Sequence, residues 1–263
     1  MTGPRPLALV TGASSGIGLE LARQFAEHGF DLVVTAEDAE LTTAADQLRA
    51  AGTTVQTVQA DLRTAEGVQA VYDAVTATGR PLAAAALNAG VGKGGPFVDN
   101  PLEDELAIID LNVRSTVVLA KSVVRDMAAR GEGRVLFTSS VASTMPGPYQ
   151  AVYNASKSFV QSFAEALATE LRDTGVTVTS LMPGPTDTEF FERGDLMDTK
   201  LGQGPKDDPA QVARQGFEAL MEGETKVLGG SVMSKAQAVV NSVLPDRLKS
   251  AGHAKMAEPG SAE

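Results

Sequence analysis

The 263-residue chain is 43% hydrophobic, long enough for one large α/β domain or two small ones, and carries a formal net charge of −11. That charge argues against a nucleic-acid backbone or an anionic membrane surface as partner, and no apolar run reaches the ~20 residues of a membrane span. Cysteine is absent, and the two histidines, His28 and His253, stand far apart, so disulfide, thiolate and structural-zinc chemistry are not expected.

The first apolar run, Leu7 to Val10, reads as a strand. It leads into Thr11-Gly12-Ala13-Ser14-Ser15-Gly16-Ile17-Gly18, and then into a helical pattern through Leu21, Ala22 and Phe25. Strand, glycine turn, helix is an arrangement that brings backbone N–H groups close to a phosphate at the positive end of a helix. Leu19 stands where a P-loop would need lysine, so a P-loop is excluded. The first helix runs to about His28, which reads as a surface helix-end residue, and Gly29 stops it. A second strand, Asp31 to Ala36, ends at Glu37-Asp38. A helix through Leu41, Ala45 and Leu48 follows, and a third strand, Thr53 to Val58, ends at Asp61-Leu62. Thr64 is the expected cap of a third helix carrying Val68, Val71, Tyr72 and Val75 inward. Leu82 to Leu87 is a fourth strand, running into Asn88-Ala89-Gly90.

Val91 to Phe97 is a glycine-rich loop, and Asn100-Pro101-Leu102-Glu103 carries helix-start signals, with Asn100 as N-cap and Pro101 at N1. The acidic run Glu103 to Glu105 suits a helix N-terminus better than an acid–base pair. The helix continues to about Met127 and holds Asn112 among apolar residues, either as a structural polar bridge or as part of a site. Arg134 to Thr138 is a fifth strand with Ser139-Ser140 at its end. Gly147-Pro148 precedes a helix from near Tyr149 to Gly175, on which Tyr153 and Lys157 share a face. Val176 to Leu181 is a sixth strand, followed by Pro183-Gly184 and Thr186 to Thr188. Residues 190–206 read as a mobile loop. Pro209 opens a helix ending near Gly223, Lys226 to Leu228 is a last short strand, and 232–249 is helical in two pieces broken at Pro245. From Ala251 onward a disordered tail is expected.

Alternating strands and helices imply parallel strands with right-handed crossovers. The expected fold is therefore α/β, a Rossmann-like doubly wound parallel sheet of about seven strands with helices on both faces. It forms one domain over residues 1–250, with a substrate loop around 186–206 and a tail over 251–263. Ligands in such sheets bind beyond the carboxyl ends of the strands, where the glycine turn, Glu37, Asp61 and Asn88 to Gly90 converge.

Taken together, the ordered motifs resemble the short-chain dehydrogenase/reductase family in its short, single-domain form, over nearly the whole chain to about Leu228. They are Thr11-Gly12-x-x-x-Gly16-x-Gly18, Asp61, Asn88-Ala89-Gly90, Asn112, Ser140, Tyr153-x-x-x-Lys157, and Pro183-Gly184 with Thr188. The resemblance implies a nicotinamide cofactor and hydride transfer between it and a secondary alcohol or ketone, with Asn112, Ser140, Tyr153 and Lys157 as the catalytic set. Tyr153 would be the acid or base, Lys157 would lower its pKa, Ser140 would hold the substrate oxygen, and Asn112 would hold a water linking Lys157 to solvent. Cofactor contacts would come from Gly12, Ser14, Ser15, Gly16, Ile17 and Gly18, from Glu37, Asp61, Leu62, Asn88, Ala89 and Gly90, and from Tyr153, Lys157, Pro183, Gly184, Thr186 and Thr188.

Ser140, Met145, Tyr153 and Phe190 would border the substrate, and Met145, Phe190, Phe191, Leu196 and Met197 suggest that it is apolar. Glu37 stands 19 residues after Gly18, where an acid binds the adenosine ribose hydroxyls. NAD is therefore expected, with NADP the alternative and Arg63 the nearest basic residue to serve its phosphate. No metal is expected. A homodimer or homotetramer in the cytoplasm is anticipated, and the alternative function is a non-catalytic nucleotide-binding regulator on the same fold.

Overall fold

The computed structural model describes residues 5–236 and 244–262. The elements run β1 (Leu7–Thr11), α1 (Gly16–Glu27), β2 (Asp31–Ala36), α2 (Glu40–Arg49), β3 (Val55–Gln59), α3 (Ala65–Ala77) and β4 (Leu82–Leu87). Next come α4 (Leu102–Ile108), a π-helical segment (Ile109–Ser115), α5 (Thr116–Arg130), β5 (Gly133–Thr138), a 3₁₀ turn (Val141–Thr144) and α6 (Ala151–Glu170). The chain ends in β6 (Val176–Pro183), the short α7 (Phe190–Arg193) and α8 (Lys200–Gln203), α9 (Pro209–Glu222), β7 (Lys226–Gly229) and a last helix, here α10 (Asp246–Ala257).

The seven strands form one sheet in the order β3-β2-β1-β4-β5-β6-β7, with each neighbouring pair parallel. The chain reverses its direction of travel between β1 and β4, so the crevice of a doubly wound sheet opens beyond these two strands. Alternation along β1 divides the core. Leu7 and Leu9 enter one apolar layer with Val135, Phe137 and Met127, while Ala8 and Val10 enter the other with Leu21, Phe25 and Phe217.

Local signals account for several element ends. Thr64 caps α3 by accepting from Gly67 N at 3.0 Å. Gly29, just past α1, takes φ +82°, and His28 bonds back to Gln24 O at 2.8 Å, as a helix-end residue does. Other expectations shift. The α4 helix starts at Leu102 after Pro101, so Asn100 is not its N-cap; the Asn100 amide donates instead to Glu105 at 2.9 Å. The long helix is interrupted by a π segment around Asn112. Residues 190–206 hold two short helices, with Thr199 capping α8 through Gly202 N at 3.0 Å. Residues 251–257 continue α10, and Ala257 is buried, so the expected tail is helical over this stretch. Of the expected helical stretch 232–249, residues 237–243 lie outside the described residues.

Candidate active site

The carboxyl ends of the strands open onto a cavity of about 1240 Å³. The glycine turn forms one rim. Gly12 and Gly16 have φ +66° and +55°, values open to glycine and rare for other residues. A Cβ on Gly18 would lie 1.9 Å from Gly12 O, so α1 packs against its own turn only because that atom is missing. Ser15 precedes α1 without a side-chain cap, which leaves the first-turn N–H groups for a ligand. Thr11 Oγ1 accepts from Asn88 N and Ala89 N at 2.9 and 3.0 Å, which fixes the end of β4 beside the turn.

At the far end of the crevice, Glu37 and Asp61 face each other across Arg63, at 2.6 and 2.8 Å. The guanidinium beside Asp61 holds that carboxyl below its ordinary range, chiefly through a side-chain hydrogen bond. Glu37 does not fold back to cap α2, whose N-cap is Ala39. Ser14 Oγ donates to Asp38 at 3.0 Å, and the other Asp38 oxygen is buried without a partner. This cradle fits a dinucleotide: an open helix N-terminus for its phosphates, and acceptors where ribose hydroxyls would lie.

The other half of the cavity holds Ser140, Tyr153 and Lys157. α6 presents the last two on one face. Lys157 Nζ donates to Thr138 O at 3.0 Å and lies 5.9 Å from the centre of the Tyr153 ring. Burial pushes the Tyr153 phenol up to about 12, opposed by the Ser140 hydroxyl beside it; burial also brings Lys157 down to about 8. Before any ligand enters, the phenol therefore holds its proton at neutral pH, and Lys157 titrates near it. Phe190 packs at 5.0 Å from the Tyr153 ring and against Gly92, where a Cβ would lie 2.5 Å from its Cζ.

The expected cofactor and substrate residues all border this cavity, from Gly12 to Gly18, Glu37 and Asp61 to Met145, Pro183, Thr188 and Phe190. Asn112 departs from the expectation. It lies behind the cavity wall, 1% exposed, with Oδ1 accepting from Val91 N and Nδ2 donating to Val91 O and Ser156 Oγ, all at 2.9 Å. These bonds commit its amide to bridging the π segment, the loop after Gly90 and α6. Two apolar residues also move out of the substrate role. Leu196 is buried beneath Gly94, and Met197 faces outward.

Several cavity residues carried no sequence signal of their own: Gln150, Glu189, Arg193, Asp207 and the α10 face containing Lys249 and His253. Lys249 and His253 are four apart after a Pro-Asp helix start, which could have marked a helix face but not where it docks.

The short chain dehydrogenase family model matches residues 6–197, and the chain belongs to that family. Among relatives, it is 32% identical over 214 residues to oxidoreductase UcpA of Salmonella typhimurium, spanning 81% of this chain and 79% of that protein. A short chain dehydrogenase of Pseudocercospora fijiensis is also 32% identical, over 195 residues that span 73% of this chain and 63% of the relative. A Sphingobium yanoikuyae short-chain dehydrogenase in complex with NADPH superposes with a TM-score of 0.80 at 28% identity, covering 90% of this chain and 93% of the other. A Burkholderia phymatum relative in complex with NAD gives 0.78 at 28% identity, covering 87% and 90%. The chain is thus an oxidoreductase of a family whose members bind NAD(P). Among the described residues, no helix is long and apolar enough to cross a membrane.

Proposed function

We propose that the protein interconverts a ketone and a secondary alcohol, with Tyr153 as the proton donor or acceptor and NAD as the preferred cofactor. The observation that carries this reading is the meeting of Ser140, Tyr153 and Lys157 in one cavity with the glycine cradle and the acidic end of β2. A pure nucleotide binder has no need of that trio.

When bound, the nicotinamide supplies or accepts the hydride. The chain's own residues do the rest. Gly12 to Gly18 and the α1 N-terminus would hold the phosphates, and Glu37 and Asp38 the adenosine ribose. In reduction, Ser140 positions the carbonyl oxygen and Tyr153 donates its phenolic proton to it. Lys157, in its ammonium form, stabilises the phenolate left behind. A phenol held up at about 12 begins with the proton it must give. In oxidation the same proton returns from the alcohol, and the charge of Lys157 and of an oxidised nicotinamide would both draw the phenol towards ionisation. Asn112 acts through the loop and α6 that it ties together.

The substrate is read as apolar from Met145 and Phe190 beside Tyr153. The NAD preference rests on Glu37 and Asp61, whose carboxylates share the Arg63 guanidinium, and on Asp38, next in sequence to Glu37 and 3.7 Å from Arg193. A 2′-phosphate would add like charge there. The test is a panel of aliphatic, cyclic and aryl ketones followed by loss of reduced-nicotinamide absorbance. Turnover of at least one apolar ketone with NADH is expected; no turnover of any ketone or alcohol with either cofactor would favour the regulatory alternative.

A further inference from the structure

The cavity extends past the catalytic trio to a wall outside the family match, which ends at residue 197. Leu248, Lys249, Gly252, His253 and Met256 border it, and their spacing puts them on one face of α10. Three bonds tie this part of the chain to the segment between Ser140 and Tyr153. Lys249 Nζ donates to Thr144 O at 3.1 Å, His253 Nδ1 meets Pro148 O at 3.1 Å, and Tyr149 OH donates to Glu258 at 3.3 Å. Tyr149 itself takes φ +64°, a left-handed conformation that a bulky residue rarely adopts. The segment is thus held in an unusual shape from outside, directly ahead of α6.

Two polar groups on this segment and its buttress have capacity to spare. A carbonyl oxygen only accepts, so His253 donates to Pro148 from Nδ1, and the neutral ring carries its lone pair on Nε2. Burial lowers the His253 pKa, which keeps the ring neutral. Gln150 is 3% exposed, borders the cavity, and has its Nε2 buried without a hydrogen-bond partner. A buried amide left unpaired is costly, and a ligand oxygen entering the cavity is the partner that would relieve it.

We propose that α10 completes the substrate site, and that Gln150 and His253 together recognise a hydroxyl group carried on the apolar body of the substrate, away from the reacting carbon. A hydroxyl suits both groups: its oxygen accepts from the Gln150 amide and its hydrogen goes to His253 Nε2. A carboxylate has no hydrogen to give Nε2, and an ammonium has no lone pair for Gln150. Met145, Leu248 and Met256 form the apolar walls beside them.

This inference deepens the oxidoreductase reading and rests on it, so binding and turnover are measured separately. The probes are aryl ketones with a phenolic hydroxyl at increasing distance from the carbonyl, each paired with the analogue lacking it. They are titrated calorimetrically into the full-length protein saturated with oxidised NAD, which has no hydride to give a ketone, so the heats report binding alone. At least one pair is expected to bind roughly tenfold more tightly with the hydroxyl present. His253→Asn keeps a nitrogen for Pro148 but places nothing at Nε2. It is expected to bring that pair within about threefold while leaving the melting temperature unchanged. His253→Gln, whose amide oxygen reaches towards the Nε2 position, is expected to retain part of the preference. Equal affinities within every wild-type pair, or full preference in His253→Asn, would overturn the proposal. A clear hydroxyl preference in binding with no ketone turned over would leave the recognition site standing and sink the proposed ketone–alcohol reaction instead.

Discussion

Burial acts on Tyr153 and Lys157 in opposite senses, raising one towards a retained proton and lowering the other towards a lost one. The two have consequences for stability as well as chemistry. Between about pH 8 and the ordinary lysine value of 10.5, the unfolded chain binds a proton at this lysine that the folded chain does not. Stability conferred through Lys157 therefore rises with pH across that window, and its burial cost is fully present below it. Lys157→Met is expected to be inactive yet more stable than wild type at pH 7, by on the order of 1–3 kcal/mol, with the advantage shrinking towards pH 10. Denaturant unfolding at the two pH values reads this, and a pH-independent difference would contradict it. At the other end of the crevice, Glu37→Arg removes a carboxylate that faces Arg63 and adds a second guanidinium. The ratio of kcat/KM for NADP over NAD should rise at least tenfold, or about 1.4 kcal/mol of discrimination. A wild-type enzyme that clearly favours NADP would assign Arg63, rather than Glu37, to the ribose.

Elements differed in how readily they could be read from the chain. The glycine turn, Glu37 and the Tyr153–Lys157 pair were legible because strand ends and a four-residue helical spacing are local signals. The π segment was not, since one widened turn leaves the apolar pattern of residues 102–127 almost unchanged. It nevertheless decides what Asn112 does. Asn112→Leu would orphan Val91 N and O and leave Ser156 Oγ only its bond to Tyr153 O, and about 2–4 kcal/mol of destabilisation is expected by chemical denaturation. A loss below 0.5 kcal/mol would show that the bridge is dispensable. α10 was legible only at its start, in the helical piece after Pro245; its continuation past Ala251 and its docking were not, for another reason. Its composition is small and polar, and its anchors, Thr144 and Pro148, are about a hundred residues away in sequence. Periodicity does not carry such contacts. The short α7 and α8 were missed likewise, since four-residue helices carry too little pattern to register.

For the whole molecule, strand–helix alternation was enough to anticipate a doubly wound parallel sheet, and the β3-β2-β1-β4-β5-β6-β7 order puts its crevice where the site residues gather. The family match leaves open what lies on the outside of α4 to α6. Leu102, Leu106, Ile109 and Phe159 are exposed there, the first three at helical spacing. A homodimer or homotetramer joined through these helices is expected, and light scattering showing a monomer at micromolar concentration would contradict it. The central claim, however, concerns proton transfer by one phenolic oxygen, and Tyr153→Phe removes that atom alone. With any ketone that the wild type reduces, kcat is expected to fall by at least about 10²-fold, while the NADH dissociation constant stays within about threefold. Near-normal turnover by Tyr153→Phe would contradict the account.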